Sequence, residues 1–313
     1  DQNEIKRFRF GFIASSDNHR ARPGTGYKEI DRRVTTESNG VVNTEIENLL
    51  YPPEEKTARS VLLEGNLISE LGFAALEVER EASFFTTGGL AAVHSNSRSR
   101  DDIWDAFQRR ETYGTTGDRI LLWFDLLANN ATLPMGGEII TNENPTFRVK
   151  AVGAFKQKPG CPDYSSTKIK QEDIERICKN ECYNPSDERK IITKIEIIKV
   201  LPQIYKNESV DPLIIDAWKS FDCEVDQNGC EVTFTDPDFS IDGRDAAYYV
   251  RAIQEPSQVI NAKNLRCEFD SEGNCIKVNQ CHATYKTDPE DDCLSISDER
   301  AWSSPIFVDY LKS

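Results

Sequence analysis

Short apolar runs that end in polar residues dominate the first part of the chain. Residues 8–14 (Phe-Arg-Phe-Gly-Phe-Ile-Ala) alternate and then become apolar, as a buried strand does, and polar residues 15–19 follow them. Residues 90–93 predict another short buried strand, which runs into His94. Between these strands, the spacing of leucines and alanines over residues 54–81 indicates a helix. Each predicted strand therefore places polar side chains at its carboxyl end.

A second helix is predicted to begin after Ser99. Serine is a favoured N-cap, Asp101 and Asp102 lie in the first turn, and the apolar residues that follow are spaced for one helical face. The glycine- and threonine-rich residues 113–117 end this helix. The order strand, loop, helix, strand, helix is typical of an α/β layer or barrel.

Beyond residue 118 the pattern changes to short strands separated by turns. Alternation in residues 147–152 and 249–253 predicts strands with one buried face, as in an antiparallel sandwich. The strands are predicted over residues 119–127, 146–155, 191–201, 231–235 and 246–254, with one helix over residues 171–178.

All nine cysteines lie in the second part of the chain, between residues 161 and 293. Turn residues separate several of them, which favours short disulfide loops. The pairs expected on this basis are Cys223 with Cys230, Cys267 with Cys275, and Cys281 with Cys293. Disulfides favour an oxidising compartment, either periplasmic or extracellular.

Three cysteines remain after these pairs are formed. Because Cys161, Cys178 and Cys182 cannot all pair with one another, one of them is free or bridges to a missing segment. The alternative is a zinc site that combines these three cysteines with His282, but no second closely spaced cysteine pair completes a standard zinc spacing.

Charge and hydropathy exclude two classes of partner. The chain has 38 basic and 53 acidic residues and a formal net charge of −15, which is the wrong sign for binding a nucleic-acid backbone. No apolar run approaches the roughly 18 residues of a membrane span. The chain begins at Asp1 rather than at a methionine, so we expect that an upstream segment has been removed or left out.

Asp17 and His19 are the strongest candidates for chemistry. Two residues apart on an extended segment, they point to the same side and can reach one metal centre or two adjacent ones. The alternative is a polar turn with a surface histidine.

The sequence around these residues, Phe-Ile-Ala-Ser-Ser-Asp-Asn-His, resembles a bacterial family named only as a domain of unknown function, which is similar to the PHP (polymerase and histidinol phosphatase) metallohydrolases. The residues that carry the resemblance are 12–19, 21–27, 84–94, 103–117, 160–164, 181–185 and 299–305. The resemblance implies that residues 1–118 are the C-terminal part of a distorted (β/α)7 PHP-like barrel. We expect residues 119–313 to form an antiparallel, disulfide-stapled β-sandwich.

In the PHP group, a strand that ends in Ser-Asp-x-His supplies the last two ligands of a cluster of two or three metals. The resemblance thus implies that Asp17 and His19 bind divalent transition metals, namely Zn, Mn or Fe. The group's earlier ligands begin with a His-x-His, and none of the three histidines lies two residues from another. The site would therefore be completed by ligands that are not in this chain, on a missing N-terminal segment of the same protein.

The activity implied is metal-assisted hydrolysis of phosphate or other ester bonds in a small anionic or ester substrate. Arg22, or Arg20 beside it, is placed to contact an anionic oxygen, and His94 to donate a proton or contact the substrate. A solvated arginine and a structural histidine are the alternatives. The competing class of function is a non-catalytic binding or structural protein that retains a remnant of the metal site.

Two further patterns are weaker candidates. The aspartates between residues 236 and 245 suggest calcium, but their spacing departs from that of a calcium-binding loop, so solvated turn residues are the better interpretation. A serine nucleophile lacks the Gly-x-Ser-x-Gly motif.

Overall fold

The structure is a computed structural model that describes residues 8–15, 28, 89–128, 131–262, 266–279, 281, 287–288 and 290–311. The helix predicted over residues 54–81 lies outside these residues. The described α-helices are α1 (Arg100–Gln108), α2 (Gln171–Cys178) and α3 (Phe239–Asp242). The described strands are β1 (Leu90–Val93), β2 (Thr112–Thr115), β3 (Leu121–Ala128), β4 (Ala131–Pro134), β5 (Glu138–Thr141), β6 (Thr146–Val152), β7 (Phe155–Gln157), β8 (Pro185–Arg189), β9 (Ile192–Val200), β10 (Ile214–Asp222), β11 (Cys230–Thr235), β12 (Ala246–Ile260), β13 (Glu268–Phe269), β14 (Cys275–Lys277), β15 (Leu294–Ser303) and β16 (Ile306–Tyr310).

Two sheets contain most of these strands. The larger sheet has eight strands in the order β1-β2-β15-β12-β16-β5, with β9 beside β12 and β10 beside β9. Its pairings are antiparallel except the parallel pair of β16 and β5. The smaller sheet is antiparallel in the order β11-β6-β3-β4. Two hairpin-like pairs, β7 with β8 and β13 with β14, lie apart from both sheets.

The hydrophobic core lies between the two sheets. Alternate residues of β3 are buried, which follows from the two-residue period of a strand. Phe147 of the smaller sheet packs against Tyr248 of the larger one, with 4.7 Å between ring centroids. Apolar residues of both sheets continue this contact into one cluster. Burial of these side chains supplies the main driving force for packing one sheet on the other.

The predicted fold class is wrong. The described residues contain sixteen strands and three short α-helices and form no closed barrel, so they contain no part of a (β/α)7 barrel. The described strand that the barrel prediction used, β1, instead pairs antiparallel with β2, which in turn pairs with β15. The sequence pattern predicts β1 and then α1 correctly, but it does not show which distant strands pair with one another. The domain boundary after residue 118 stays a prediction.

Several individual elements agree closely with the sequence pattern. Ser99 caps α1, since its hydroxyl accepts a hydrogen bond from the Asp102 backbone N–H at 3.1 Å. Helix α2 has the predicted bounds. The strand predicted over residues 8–14 is wrong: this segment has no regular strand pairing, and Phe8 is 90% exposed. Phe8, Phe10 and Ile13 are exposed, whereas Arg9 and Phe12 contact the larger sheet.

Four disulfides cross-link the second part of the chain. The three predicted pairs are present, and a fourth joins Cys161 to Cys182. Cys178 is the free thiol among the described residues. The Cys161–Cys182 disulfide rules out the zinc site, because neither sulfur is available as a metal ligand.

Four disulfides indicate a compartment outside the cytoplasm. In the part of the chain that the structure describes, no helix has the length and hydropathy to span a membrane.

The acidic residues near position 240 have structural partners. Asp236 is fully buried and accepts hydrogen bonds from the Tyr248 hydroxyl at 2.5 Å and the Lys199 ammonium at 2.7 Å. Asp245 accepts the Tyr310 backbone N–H at 2.8 Å. Their interpretation as solvated turn residues is therefore wrong for these two aspartates.

Candidate functional site

The predicted metal ligands Asp17 and His19, together with Arg22, lie outside the described residues. Their assignment stays a prediction. The segment that leads to them, residues 8–15, is described, and its contacts show where the chain enters the motif.

Residues 8–15 lie against one face of the larger sheet. The Arg9 guanidinium donates to both carboxylate oxygens of Asp309 at 2.7 Å and to Glu138 at 2.5 Å. The Phe12 backbone N–H donates to the Ser304 hydroxyl at 2.9 Å. The Phe12 ring packs edge-on against Tyr249, with 5.2 Å between centroids. The chain is thus fixed to the sheet immediately before the Ser-Ser-Asp-Asn-His motif.

The end of this segment approaches β2 very closely. A Cβ atom placed on Gly114 would lie 2.7 Å from the Cβ of Ala14, which is closer than carbon atoms can pack. Gly114 therefore permits a contact that a larger residue would prevent.

His94 follows β1 and is held by the fold. Its Nε2 lies 2.8 Å from the Leu122 carbonyl oxygen. The carbonyl oxygen can only accept, so Nε2 carries the hydrogen of this bond. Tyr113 and Trp123 flank the ring, with centroids at 5.5 and 5.8 Å. These contacts are those of a structural histidine, and a role of His94 in chemistry stays a prediction.

Two of the segments that carry the family resemblance meet in the larger sheet. Residues 113–117 and 299–305 are far apart in sequence, but β2 pairs with β15. Just outside the paired residues, the Thr116 hydroxyl donates a hydrogen bond to the Glu299 carboxylate. The same hydroxyl accepts a hydrogen bond of 2.9 Å from the Arg300 backbone N–H. Residues 160–164 and 181–185 also meet, through the Cys161–Cys182 disulfide.

The junction of β2 and β15 contains two buried carboxyl groups, those of Asp118 and Glu299, which are 6% and 5% exposed. Asp118 accepts hydrogen bonds at 2.5 Å from the Lys190 ammonium and the Gln254 amide. Burial, and secondarily the negative charge of Asp118, raises the pKa of Glu299 above the ordinary value. Titratable groups with shifted pKa values are typical of functional sites, and also of buried structural networks.

Sequence reasoning missed this cluster. Gln254 comes from β12, Lys190 precedes β9, and Glu299 lies in β15, so only the sheet topology brings them to Asp118. A signal was present at Glu299, which lies within one of the segments that carry the family resemblance. Its burial follows from the alternation of β15, in which Ala301 and Ser303 are buried on the same face.

A cavity of about 520 Å³ lies beside this cluster, on the outer face of β15. Its lining residues are Thr116, Pro256, Ile296, Ser297, Asp298, Arg300 and Trp302. A second cavity, of about 340 Å³, lies between residues 8–12 and the sheet and is mainly apolar.

One group of potential metal ligands occurs among the described residues. Cys281, Asp291 and Cys293 place ligand atoms within 4.8 Å of one another. The two sulfurs form a disulfide, however, and thiolates are what bind metals. The carboxylate that remains cannot form a metal site alone.

An uncharacterized protein of Chlamydia muridarum (strain MoPn / Nigg) is 38% identical over 61 residues, which are 20% of this chain and 9% of that protein's length. The chain matches no solved structure. Residues 1–126 match the model of a family described as "Protein of unknown function (DUF3604)". The predicted resemblance is confirmed at this level: the first 126 residues are similar to a family whose function is unknown.

Proposed function

We propose that the chain is part of an exported metal-dependent hydrolase that acts on phosphate or other ester bonds, as the resemblance to PHP metallohydrolases implies. The observation that supports this proposal most directly is the anchoring of residues 8–15. Arg9 and Phe12 hold this segment on a rigid sheet directly before the Ser-Ser-Asp-Asn-His motif. A rigid support of this kind is what a precisely positioned metal site requires.

Asp17 and His19 are the residues that would hold the metals. A carboxylate and an imidazole suit Zn, Mn or Fe, and further ligands from outside this chain would complete a cluster of two or three ions. When bound, such ions lower the pKa of a coordinated water and polarise a phosphoryl or acyl oxygen.

The other predicted residues would act on the substrate. The guanidinium of Arg22 would bind an anionic substrate oxygen through two parallel hydrogen bonds. His94 would contact the substrate through Nδ1, because its Nε2–H is engaged by the Leu122 carbonyl. The disulfides fit export to the periplasm or to the extracellular space equally well.

The proposal predicts hydrolysis that depends on both the metal and His19. We expect the protein, as purified from its native source, to hydrolyse p-nitrophenyl phosphate or p-nitrophenyl acetate and to lose this activity when EDTA removes the metal. His19→Ala should lower the rate by at least about 100-fold, the usual effect of losing a group central to catalysis. Asp222→Ala is a matched control, since its side chain is 90% exposed, and it should retain full activity.

Hydrolysis that resists EDTA and survives His19→Ala would contradict a metal-dependent mechanism. Absence of hydrolysis in the metal-loaded protein would favour the non-catalytic binding function.

A further inference from the structure

The cavity beside β15 is built by residues of one strand face. Asp298, Arg300 and Trp302 alternate along β15 and therefore point to the same side of the sheet. Opposite them, the pairing of β12 with β15 shifts between Ile253 and Pro256. Such a bulge opens the sheet locally and redirects side chains, and bulges are common beside functional sites. The irregularity turns Gln254 inward to Asp118 and leaves Pro256 at the cavity wall.

The Arg300 guanidinium has an unsatisfied donor at this cavity. Its Nε is buried without a hydrogen-bond partner, the only such side-chain atom in the part of the chain that the structure describes. Other half-buried arginines here bind carboxylates: Arg244 pairs with Glu208 at 2.8 Å and Arg251 with Glu196 at 2.5 Å. A buried charged donor without an acceptor is costly, so its retention needs an explanation such as an absent ligand.

The lining residues define the chemistry of that ligand. A guanidinium matches the two oxygens of a carboxylate or phosphate. Asp298 in the same cavity opposes a doubly charged phosphate but accepts hydrogen bonds from hydroxyl or ammonium groups. Trp302, Ile296 and Pro256 offer apolar surface to a carbon skeleton, and the Trp302 indole suits the face of a ring.

We propose that the cavity around Arg300 binds a small organic carboxylate that also carries hydroxyl or ammonium groups. Arg300 binds the carboxylate, Asp298 accepts from the donor groups, and Trp302 packs against the carbon skeleton. Thr116 links this cavity to the buried Glu299 through its hydroxyl. The site requires no metal, so it does not depend on the hydrolase proposed above.

The test is calorimetric titration of the full 313-residue chain in the presence of EDTA. The probes are sodium D-galacturonate, which is a hydroxy carboxylate, and glycine, which is an amino carboxylate. Two comparison compounds are included. Inorganic phosphate lacks the carbon skeleton, and methyl α-D-galactopyranoside lacks the negative charge. We expect at least one carboxylate to bind at least about tenfold more tightly than both comparison compounds. Which carboxylate binds distinguishes hydroxyl from ammonium recognition.

Variants locate the binding. Arg300→Gln should weaken carboxylate binding by at least about tenfold, whereas Arg176→Gln, at an exposed arginine paired with Asp173, should leave it within about twofold. Asp298→Asn should weaken binding by about threefold or more, because the amide is a poorer acceptor. Asp298 is only partly buried, so the Asp298→Asn variant keeps the test valid if Arg300→Gln fails to fold.

Three results would overturn the proposal. The first is that neither carboxylate binds to the wild-type protein. The second is that a carboxylate binds equally tightly to the wild-type protein and to a folded Arg300→Gln variant. The third is that it binds more tightly to the Asp298→Asn variant than to the wild-type protein, which would show that Asp298 only repels the anion.

Discussion

Glu299 is a buried acidic residue in a protein whose net charge is already −15. Its carboxylate accepts the Thr116 hydroxyl but lies in the field of Asp118, which is itself neutralised by Lys190. The cluster thus holds two carboxyl groups against one ammonium. Because burial disfavours the charged form, the pKa of Glu299 is raised, and the folded protein takes up its proton more readily than the unfolded chain does.

The sign of the pH effect follows from this raised pKa. The stabilisation that Glu299 gives is fully present below its ordinary pKa of 4.5 and is lost as the pH rises through the raised pKa. Glu299→Gln keeps an acceptor for Thr116 without the charge. We expect this variant to be more stable than the wild-type protein at about pH 8, by about 1 kcal/mol, with the difference shrinking toward about pH 5.

Urea unfolding at the two pH values measures this difference in free energy of unfolding. Glu143→Gln, at an exposed turn, is the control and should change stability by less than about 0.5 kcal/mol at either pH. A Glu299→Gln variant that is less stable at about pH 8, or equally shifted at both pH values, would show that the charge of Glu299 is not disfavoured in the folded state.

At the level of elements, the docking of residues 8–15 depends on close contact rather than on strand pairing. Gly114 brings β2 against Ala14, and Gly11 would place a Cβ 2.8 Å from the Ser304 hydroxyl oxygen. The segment is therefore fitted to the sheet by small residues at its contact points. Arg9 and Phe12 then add an ion pair and an aromatic contact.

Gly114→Ala should disrupt this docking. The added methyl would overlap Ala14, so we expect the free energy of unfolding to fall by about 1–3 kcal/mol, the usual cost of overpacking. The double variant Gly114→Ala with Ala14→Gly removes the opposing methyl and should recover much of the loss. Chemical denaturation measures both. Equal or greater stability of Gly114→Ala would mean that the segment does not pack on β2 in solution.

The sequence predicts local elements far better than their arrangement. Helix α2, the Ser99 cap and the three short-range disulfides follow from signals within a few residues. Strand β2 was missed, because the glycines of residues 113–117 were interpreted as a turn that ends a helix, whereas pairing with the distant strands β1 and β15 makes Thr112–Thr115 a strand. The Asp118 cluster was missed for the same reason: its members meet only through long-range pairing.

At the level of the whole molecule, one core joins residues from distant parts of the chain. Tyr113 and Ile120, within the region that matches the family model, share the cluster with Ile306 and Val308 near the C-terminus. The larger sheet likewise contains both the first described strand, β1, and the last, β16. Any chemistry at the Ser-Ser-Asp-Asn-His motif is therefore supported by a sheet whose central strands come from the second part of the chain.

Metal binding by Asp17 and His19 can be measured by native mass spectrometry of the protein purified from its native source. We expect the 35.5 kDa chain to carry two or three divalent transition-metal ions, together with any polypeptide that completes the site. We also expect the Asp17→Ala and His19→Ala variants to lose those ions while all four disulfides remain. A chain without metal, or variants with the same metal content as the wild-type protein, would contradict metal binding by these two residues.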